Sequence, residues 1–393
     1  MGLTREAYMK LLFATLLLLA ASDVKAQDLW TAIRKGQVSE VKAQKDKDPM
    51  LIDSKTSSGM TPLHAAVASG NIEMTRLFLK WGVQVDDKNV HGWTALALAA
   101  PPIFPEMKGE YFGQLKPGPK VEPFALPMLA SRHDRYISAV TFSPDGTEAY
   151  WPVVDLGDYS RWIVTSRMHE GSWTEPRTAS FSSREYGDDV PCLSPSGNKL
   201  LFISGRPLGN GDATGKANIW GMDREGDDWS DPDPLSGAVN SSYNVHQQMS
   251  LDQENNLYFG GEGTDGHGSL DIYLSKYSHG EYQKPENLGP VINGSDGDYA
   301  PFISPDGSYL IFTKNLEDRW TIFIVFKDGN EFWTRPVDLK EHLEGLEGLD
   351  LSCAFVTRDG KHLIFFGEKD SRIAPYWTDI SLIEKLRPRA ARR

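Results

Sequence analysis

A four-residue turn that recurs five times, with the same strands around it, constrains this chain more than any other feature. It reads Ser-Pro-Asp-Gly at Ser143 and Ser304, Ser-Pro-Ser-Gly at Ser194 and Thr-Arg-Asp-Gly at Thr357, with a divergent copy, "SLDQENN", from Ser250. These five markers are spaced by 51, 56, 54 and 53 residues. In each unit an apolar strand enters the turn and an aromatic-aliphatic strand leaves it: "EAYW", "KLLFIS", "NLYFG", "YLIFT", "HLIFF". After a polar or Gly-rich loop comes a third strand. An aromatic residue with proline three positions on then introduces a fourth: Trp173/Pro176, Trp229/Pro232, Tyr282/Pro285 and Trp333/Pro336. Four short strands in about 50 residues is the arithmetic of a propeller blade, whereas a parallel solenoid needs shorter repeats.

The turn looks like a nucleophile motif but reads better as punctuation. Pro presets φ for a type I turn, Asp tolerates the next position, and Gly supplies the positive φ that lets the hairpin resume. Ser can hydrogen-bond the turn backbone. No general base recurs at fixed spacing from any copy, so no catalytic residue is assigned.

The repeats resemble the WD40-like (PD40) repeats of bacterial exported proteins, relatives of the propeller domain of TolB. The resemblance covers residues 109–390 and implies an all-β propeller. The fifth unit lacks its last strand, and "KVEPFALP" (Lys120 to Pro127) looks like the missing piece. An N-terminal strand that completes the last blade closes the ring and removes exposed edges. That predicts five blades, or six if residues 109–135 build more than one strand.

A different period precedes the propeller. Gly59 and Gly92 are 33 residues apart, and "GMTPLHAAVASGNIEMTRLFLKWG" resembles an ankyrin repeat. Thr61 can cap its first helix with Pro62 in the first turn. Leu77, Phe78 and Leu79 belong to the second helix, which Gly82 can end. His64 belongs to the same turn. A degenerate copy precedes it, with Leu29 and Gly36 each 34 residues before Leu63 and Gly70, and a third stops at Ala100 before "PPIFP". The expected domains are therefore a signal peptide (1–26), a small all-α ankyrin module (27–104) and the propeller (105–393). Two repeats and a part fall short of the three or so that a solenoid needs.

The first 26 residues carry Arg5 and Lys10, then the apolar "LLFATLLLLAA", then small residues before Gln27. That is the order of a cleaved secretory signal, and the run is short for a membrane span. It predicts a periplasmic or extracellular protein with no membrane insertion after cleavage. Cleavage takes the net charge from −13 to about −14, which opposes nucleic acid as a partner. Cys192 and Cys353 fall in inner strands of different repeats and are expected to be buried thiols. The sequons at Asn240 and Asn293 would accept glycans only in a eukaryotic secretory pathway.

First-to-second and third-to-fourth connections share one face of a propeller, and both are tight here. The long segments, such as 204–218 and 260–271, lie on the other face, where binding concentrates. The candidate ligand-binding residues open the inner strands at the channel mouth: Asp134, Arg135, Asp188, Asp189, Tyr243, Asn244, His246, Asp298, Tyr299 and Asp350. Converging carboxylates could bind a cation or a sugar, or perform acid/base hydrolysis; a hydrated polar funnel would look the same. No histidine pair has zinc spacing, and "GNGDATG" lacks the alternating ligands of a calcium loop, so neither metal nor cofactor is expected.

The leading expectation is a non-enzymatic protein- or ligand-binding scaffold of the cell envelope. It would work through the long-loop face and the ankyrin surface, with protein partners expected. The alternative is a glycoside hydrolase or carbohydrate sensor using the mouth carboxylates.

Overall fold

The computed structural model describes residues 29–388 except 34, 57–58, 69–70, 89–93, 97–106, 126–128, 130–134, 137–139, 156–159, 209–216, 241–243, 264–265, 318, 347 and 370–371. The predicted signal peptide lies outside the described residues. The chain divides into two compact units near residue 103.

The N-terminal unit is helical. Helices Val38–Lys47, Pro62–Ala68 and Ile72–Lys80 pack Leu29, Ile33, Leu63, Met74 and Phe78 into one core. Thr61 and His64 form a closed pair at the start of the second helix: the Thr61 hydroxyl lies 2.7 Å from His64 Nδ1, which also accepts the Thr61 N–H at 3.2 Å. Asn71 caps the third helix through Met74 N–H at 2.9 Å, and Gly82, at φ +77°, ends it as expected.

The C-terminal unit is a five-bladed propeller of antiparallel sheets. Blade 1 runs through Arg135–Tyr136 with Thr141–Phe142, Glu148–Asp155, Arg161–His169 and Arg177–Thr178. Blade 2 comprises Asp189–Leu193, Lys199–Ser204, Asn218–Glu225 and Asp233–Pro234. Blade 3 comprises Asn244–Leu251, Leu257–Glu262, Asp271–Ser275 and Glu286–Asn287. Blade 4 comprises Gly297–Ile303, Tyr309–Asn315, Trp320–Phe326 and Val337–Asp338. Blade 5 supplies only three strands of its own, Asp350–Val356, His362–Lys369 and Arg372–Asp379. Its outer strand is Glu122–Pro123, paired at Glu122↔Trp377 and Pro123↔Tyr376. The ring therefore has five blades and closes with the N-terminal strand.

The chain on either side of that exposed strand is packed into the core. Tyr111, Phe112 and Phe124 bury against Phe142 and Trp173 of blade 1 and Trp377 of blade 5, with Phe112 and Trp173 ring centroids 4.6 Å apart. The chain reverses at Gly113 (φ +72°), where an added Cβ would lie 2.5 Å from the Lys108 carbonyl oxygen, so no other residue fits.

The recurring turn is structural in every blade. The Ser143, Ser194, Ser304 and Thr357 hydroxyls accept the N–H five residues on, at 2.9–3.1 Å, and each chain reverses at a glycine with φ of 67–73°. Gly197 has a second reason to be glycine, since a Cβ there would lie 2.8 Å from the Pro144 ring of the blade 1 turn. The third copy corrects the register read from the sequence. Asp252, not Ser250, holds the turn, accepting Glu254 and Asn256 N–H at 2.9 Å each, and Asn255 takes the glycine position at φ 63°. Ser250 does a different job, accepting Ile303 N–H from blade 4 at 2.9 Å, as Thr141 accepts Leu193 N–H from blade 2 at 3.2 Å.

The fifth copy has arginine where others have proline, and the structure gives it a role. Arg358 reaches across the axis to the Leu193 and Ser194 carbonyls of blade 2, at 2.6 and 3.1 Å. One side chain of the last blade thus grips an early one.

Candidate functional site

The described members of the expected site lie at or beside the starts of the inner strands, and three of the five whose side chains are described, Asp188, Asp189 and Asp298, are already paired with cations. Asp134 and Tyr243 lie outside the described residues. Arg135, Asn244 and His246 hold the expected backbone positions, opposite Asp155, Glu262 and Gly260, and their side chains lie outside the described ones. The remaining five can be placed atom by atom.

Asp188 is fully buried. Its Oδ2 accepts Ser183 N–H at 2.7 Å, Ser182 Oγ–H at 3.0 Å and Arg206 Nη2 at 3.0 Å. Asp189 crosses to the neighbouring blade, where Arg161 Nη1, at the start of the blade 1 third strand, lies 2.8 Å from its Oδ2. Its Oδ1 accepts the N–H of Val190, which sits at φ 52°. Ala300 and Cys353 repeat that left-handed conformation in blades 4 and 5, at φ 51° and 52°. Each follows the mouth residues at a register shift in the inner strand. The bulge turns the strand just inside the mouth.

Asp298 is also fully buried. Lys314 Nζ lies 2.6 Å from its Oδ1, and Gly294 N–H donates to its Oδ2 at 2.7 Å. Burial raises its carboxyl above the ordinary aspartate range, and Lys314 and the Gly294 N–H oppose that rise. Tyr299 packs in the core beside Cys353 and Phe366, and burial pushes its hydroxyl upward too. Both cysteines are buried free thiols, pushed up to about 12 by desolvation, so neither is a nucleophile at neutral pH.

Asp350 differs from the other mouth acids. It is half-buried and sits directly opposite Glu368 across the first two strands of blade 5. Two like charges facing each other without a cation among the described residues is a destabilising arrangement. Both bear on the Tyr299 hydroxyl. Glu368, Arg161, Arg206 and Lys314 were not among the expected residues. Their signal in the sequence is weak, because each ends a second strand, follows one or opens a third, where no repeated motif marks it.

The two sequons are structural. Asn240 and Asn293 are buried, and each clamps the start of a third strand: Asn240 Oδ1 accepts Ile219 N–H, and Asn293 Oδ1 accepts Ile272 N–H, both at 2.8 Å. Among the described residues no group of three or more His, Cys, Asp or Glu could hold a metal ion.

The family profile "Ankyrin repeats (3 copies)" matches residues 29–101. The chain is 32% identical over 75 residues to protein phosphatase 1 regulatory subunit 27 of Mus musculus, a span of 19% of this chain and 49% of that protein. It is 33% identical over 72 residues to the Notch-regulated ankyrin repeat-containing protein of Homo sapiens, covering 18% of this chain and 63% of that one. The chain thus spans about half the length of the phosphatase subunit it matches. Among solved structures, a putative TolB from Agrobacterium tumefaciens aligns with TM-score 0.42 and 15% identity over 63% of this chain and 78% of that one. An alpha-L-arabinofuranosidase from Lactobacillus brevis aligns with TM-score 0.41 and 12% identity over 63% and 89%. Such distant likenesses say nothing about activity. The chain is a five-bladed propeller with an N-terminal ankyrin-repeat region.

Proposed function

We propose that the protein is a non-enzymatic, exported scaffold of the cell envelope that binds protein partners through its ankyrin surface and the long-loop face of its propeller. The observation that carries this reading is the engagement of the mouth carboxylates. Asp188, Asp189 and Asp298 hold Arg206, Arg161 and Lys314 at 2.6–3.0 Å, the Asp189 pair across blades 1 and 2 and the other two within a blade, so these three carboxylates are paired with cations of the protein instead of facing a substrate. A glycosidase needs two carboxyl groups poised on either side of a sugar, and these three are committed elsewhere. Ankyrin repeats present surfaces for other proteins, and the relatives that match here include one named as a regulatory subunit. Export rests on the N-terminal charge and hydropathy pattern of residues 1–26.

Site-specific photo-crosslinking in exporting cells tests the reading. A crosslinker at Glu185 (long-loop face) or Ile72 (ankyrin surface) is expected to give discrete protein adducts in the periplasmic or secreted fraction, and one at Asn198 (hairpin face) none. All three positions are exposed. Adducts from Asn198 alone, or a chain retained in the cytoplasm, would overturn it.

A further inference from the structure

We propose that a cleft between blades 1 and 2, away from the channel, is a binding site for a small organic oxyanion. The cleft encloses about 300 Å³, the lower end of the range for small-molecule sites. One wall is a cross-strand row of blade 1, in which Tyr150, Thr165 and Arg177 stand opposite one another on three neighbouring strands. The other wall is the Asp228–Trp229 hairpin of blade 2, fixed by Trp229 Nε1 donating to the Tyr150 hydroxyl at 2.9 Å.

Two observations independent of shape point to a ligand. First, the Thr165 hydroxyl lines the cleft and is buried without a hydrogen-bond partner, although its residue is only 7% exposed. A buried hydroxyl left unpaired carries a desolvation cost that a ligand atom would remove. Second, the local charge is positive. Buried Glu148 is shared by two guanidiniums, Arg167 at 2.7 Å and Arg224. Arg177 adds a third cation at the rim, exposed and with no hydrogen bond or ion pair among the described residues, so three guanidiniums stand against two carboxylates, Glu148 and Asp228. A guanidinium fork matches the two oxygens of a carboxylate or phosphate. Phe181 and Trp229 supply an apolar flank for the body of the molecule.

Isothermal titration of the full chain tests this with benzoate and phenyl phosphate, and with benzamide and glucose as neutral probes. Saturable binding of at least one anion is expected, with neither neutral probe matching it. Benzoate alone identifies a carboxylate as the recognised group, and phenyl phosphate alone a phosphate ester. Arg177→Gln, at an exposed position, is expected to weaken the anion about tenfold, and Thr165→Val about fivefold, each as the loss of one hydrogen-bonding group. The melting midpoint of Thr165→Val should hold or rise, because the hydroxyl satisfies nothing in the protein. No saturable heat from either anion, equal binding of benzamide or glucose, or an Arg177→Gln protein that binds as the parent does would each overturn the proposal.

Discussion

At the hairpin end of the inner strands, five residues of three types do one job; at the mouth end, each blade does something different. Ser143, Ser194, Asp252, Ser304 and Thr357 all accept backbone N–H groups that close the same turn. At the mouth, Asp188 locks a loop, Asp189 reaches the next blade, Asp298 holds a lysine, and Asp350 faces another acid. The lesson concerns repetition. A position that recurs solves a problem common to every blade, namely reversing the chain. A position that varies answers to its own neighbours, and there a carboxylate is as apt to lock the ring as to meet a ligand.

The largest predicted effect breaks a lock at the mouth. Asp188→Ala strands Arg206, which stacks 5.0 Å over Phe202, with no carboxylate. It should cost about 3–5 kcal/mol in urea unfolding, as removing one partner of a buried pair does. At the hairpin end the effects are smaller. Ser304→Ala loses the acceptor for Tyr309 N–H and should cost about 1 kcal/mol. Asn255→Gly, which restores the glycine of the other copies at φ 63°, should change stability by less than about 0.5 kcal/mol or stabilise slightly. If Asn255→Gly destabilised as much as Ser304→Ala, the equivalence of the five turns would be wrong.

The smallest predicted effect is a pH dependence at the ring closure. His362 is buried against Tyr111 and Trp377, with Nδ1 lacking a hydrogen bond, and burial lowers its pKa below the usual 6.5. Its neutral form is favoured in the folded chain. The stability it supports is therefore present above pH 6.5 and lost as pH falls through its folded value. The melting midpoint should fall between pH 7 and 5, and fall less in His362→Gln. An identical slope in the variant would assign the acid sensitivity to other groups.

The fold was legible because its information is periodic. Turn, strand and aromatic-proline signals recurred often enough to count blades, and "KVEPF" could be matched to the missing outer strand by its position before the first unit. Where the repeat weakened, the reading slipped. Repeat spacing points to Ser250 as the turn serine, while the side chain with turn geometry, Asp252, sits two residues on. The position of the mouth is legible in the sequence; the pairing of its carboxylates is not. A sequence shows that Asp188 and Asp298 open inner strands; it does not show that Arg206 and Lys314, 18 and 16 residues later, come back to them. The blade 1–2 cleft is not legible as a site, since Tyr150 and Trp229 belong to signals that every blade repeats and no motif marks Thr165 or Arg177.

The claim that the mouth carboxylates are structural is tested most directly by a double-mutant cycle on Asp298 and Lys314, read by urea unfolding. Lys314→Met alone leaves a fully buried carboxylate without its cation and should lose about 3–5 kcal/mol. Adding Asp298→Leu should restore a large part of that loss, because the uncompensated charge is gone. A Lys314→Met protein within about 0.5 kcal/mol of the parent, the range of an ordinary surface substitution, would contradict the account and return Asp298 to the set of groups free to meet a ligand.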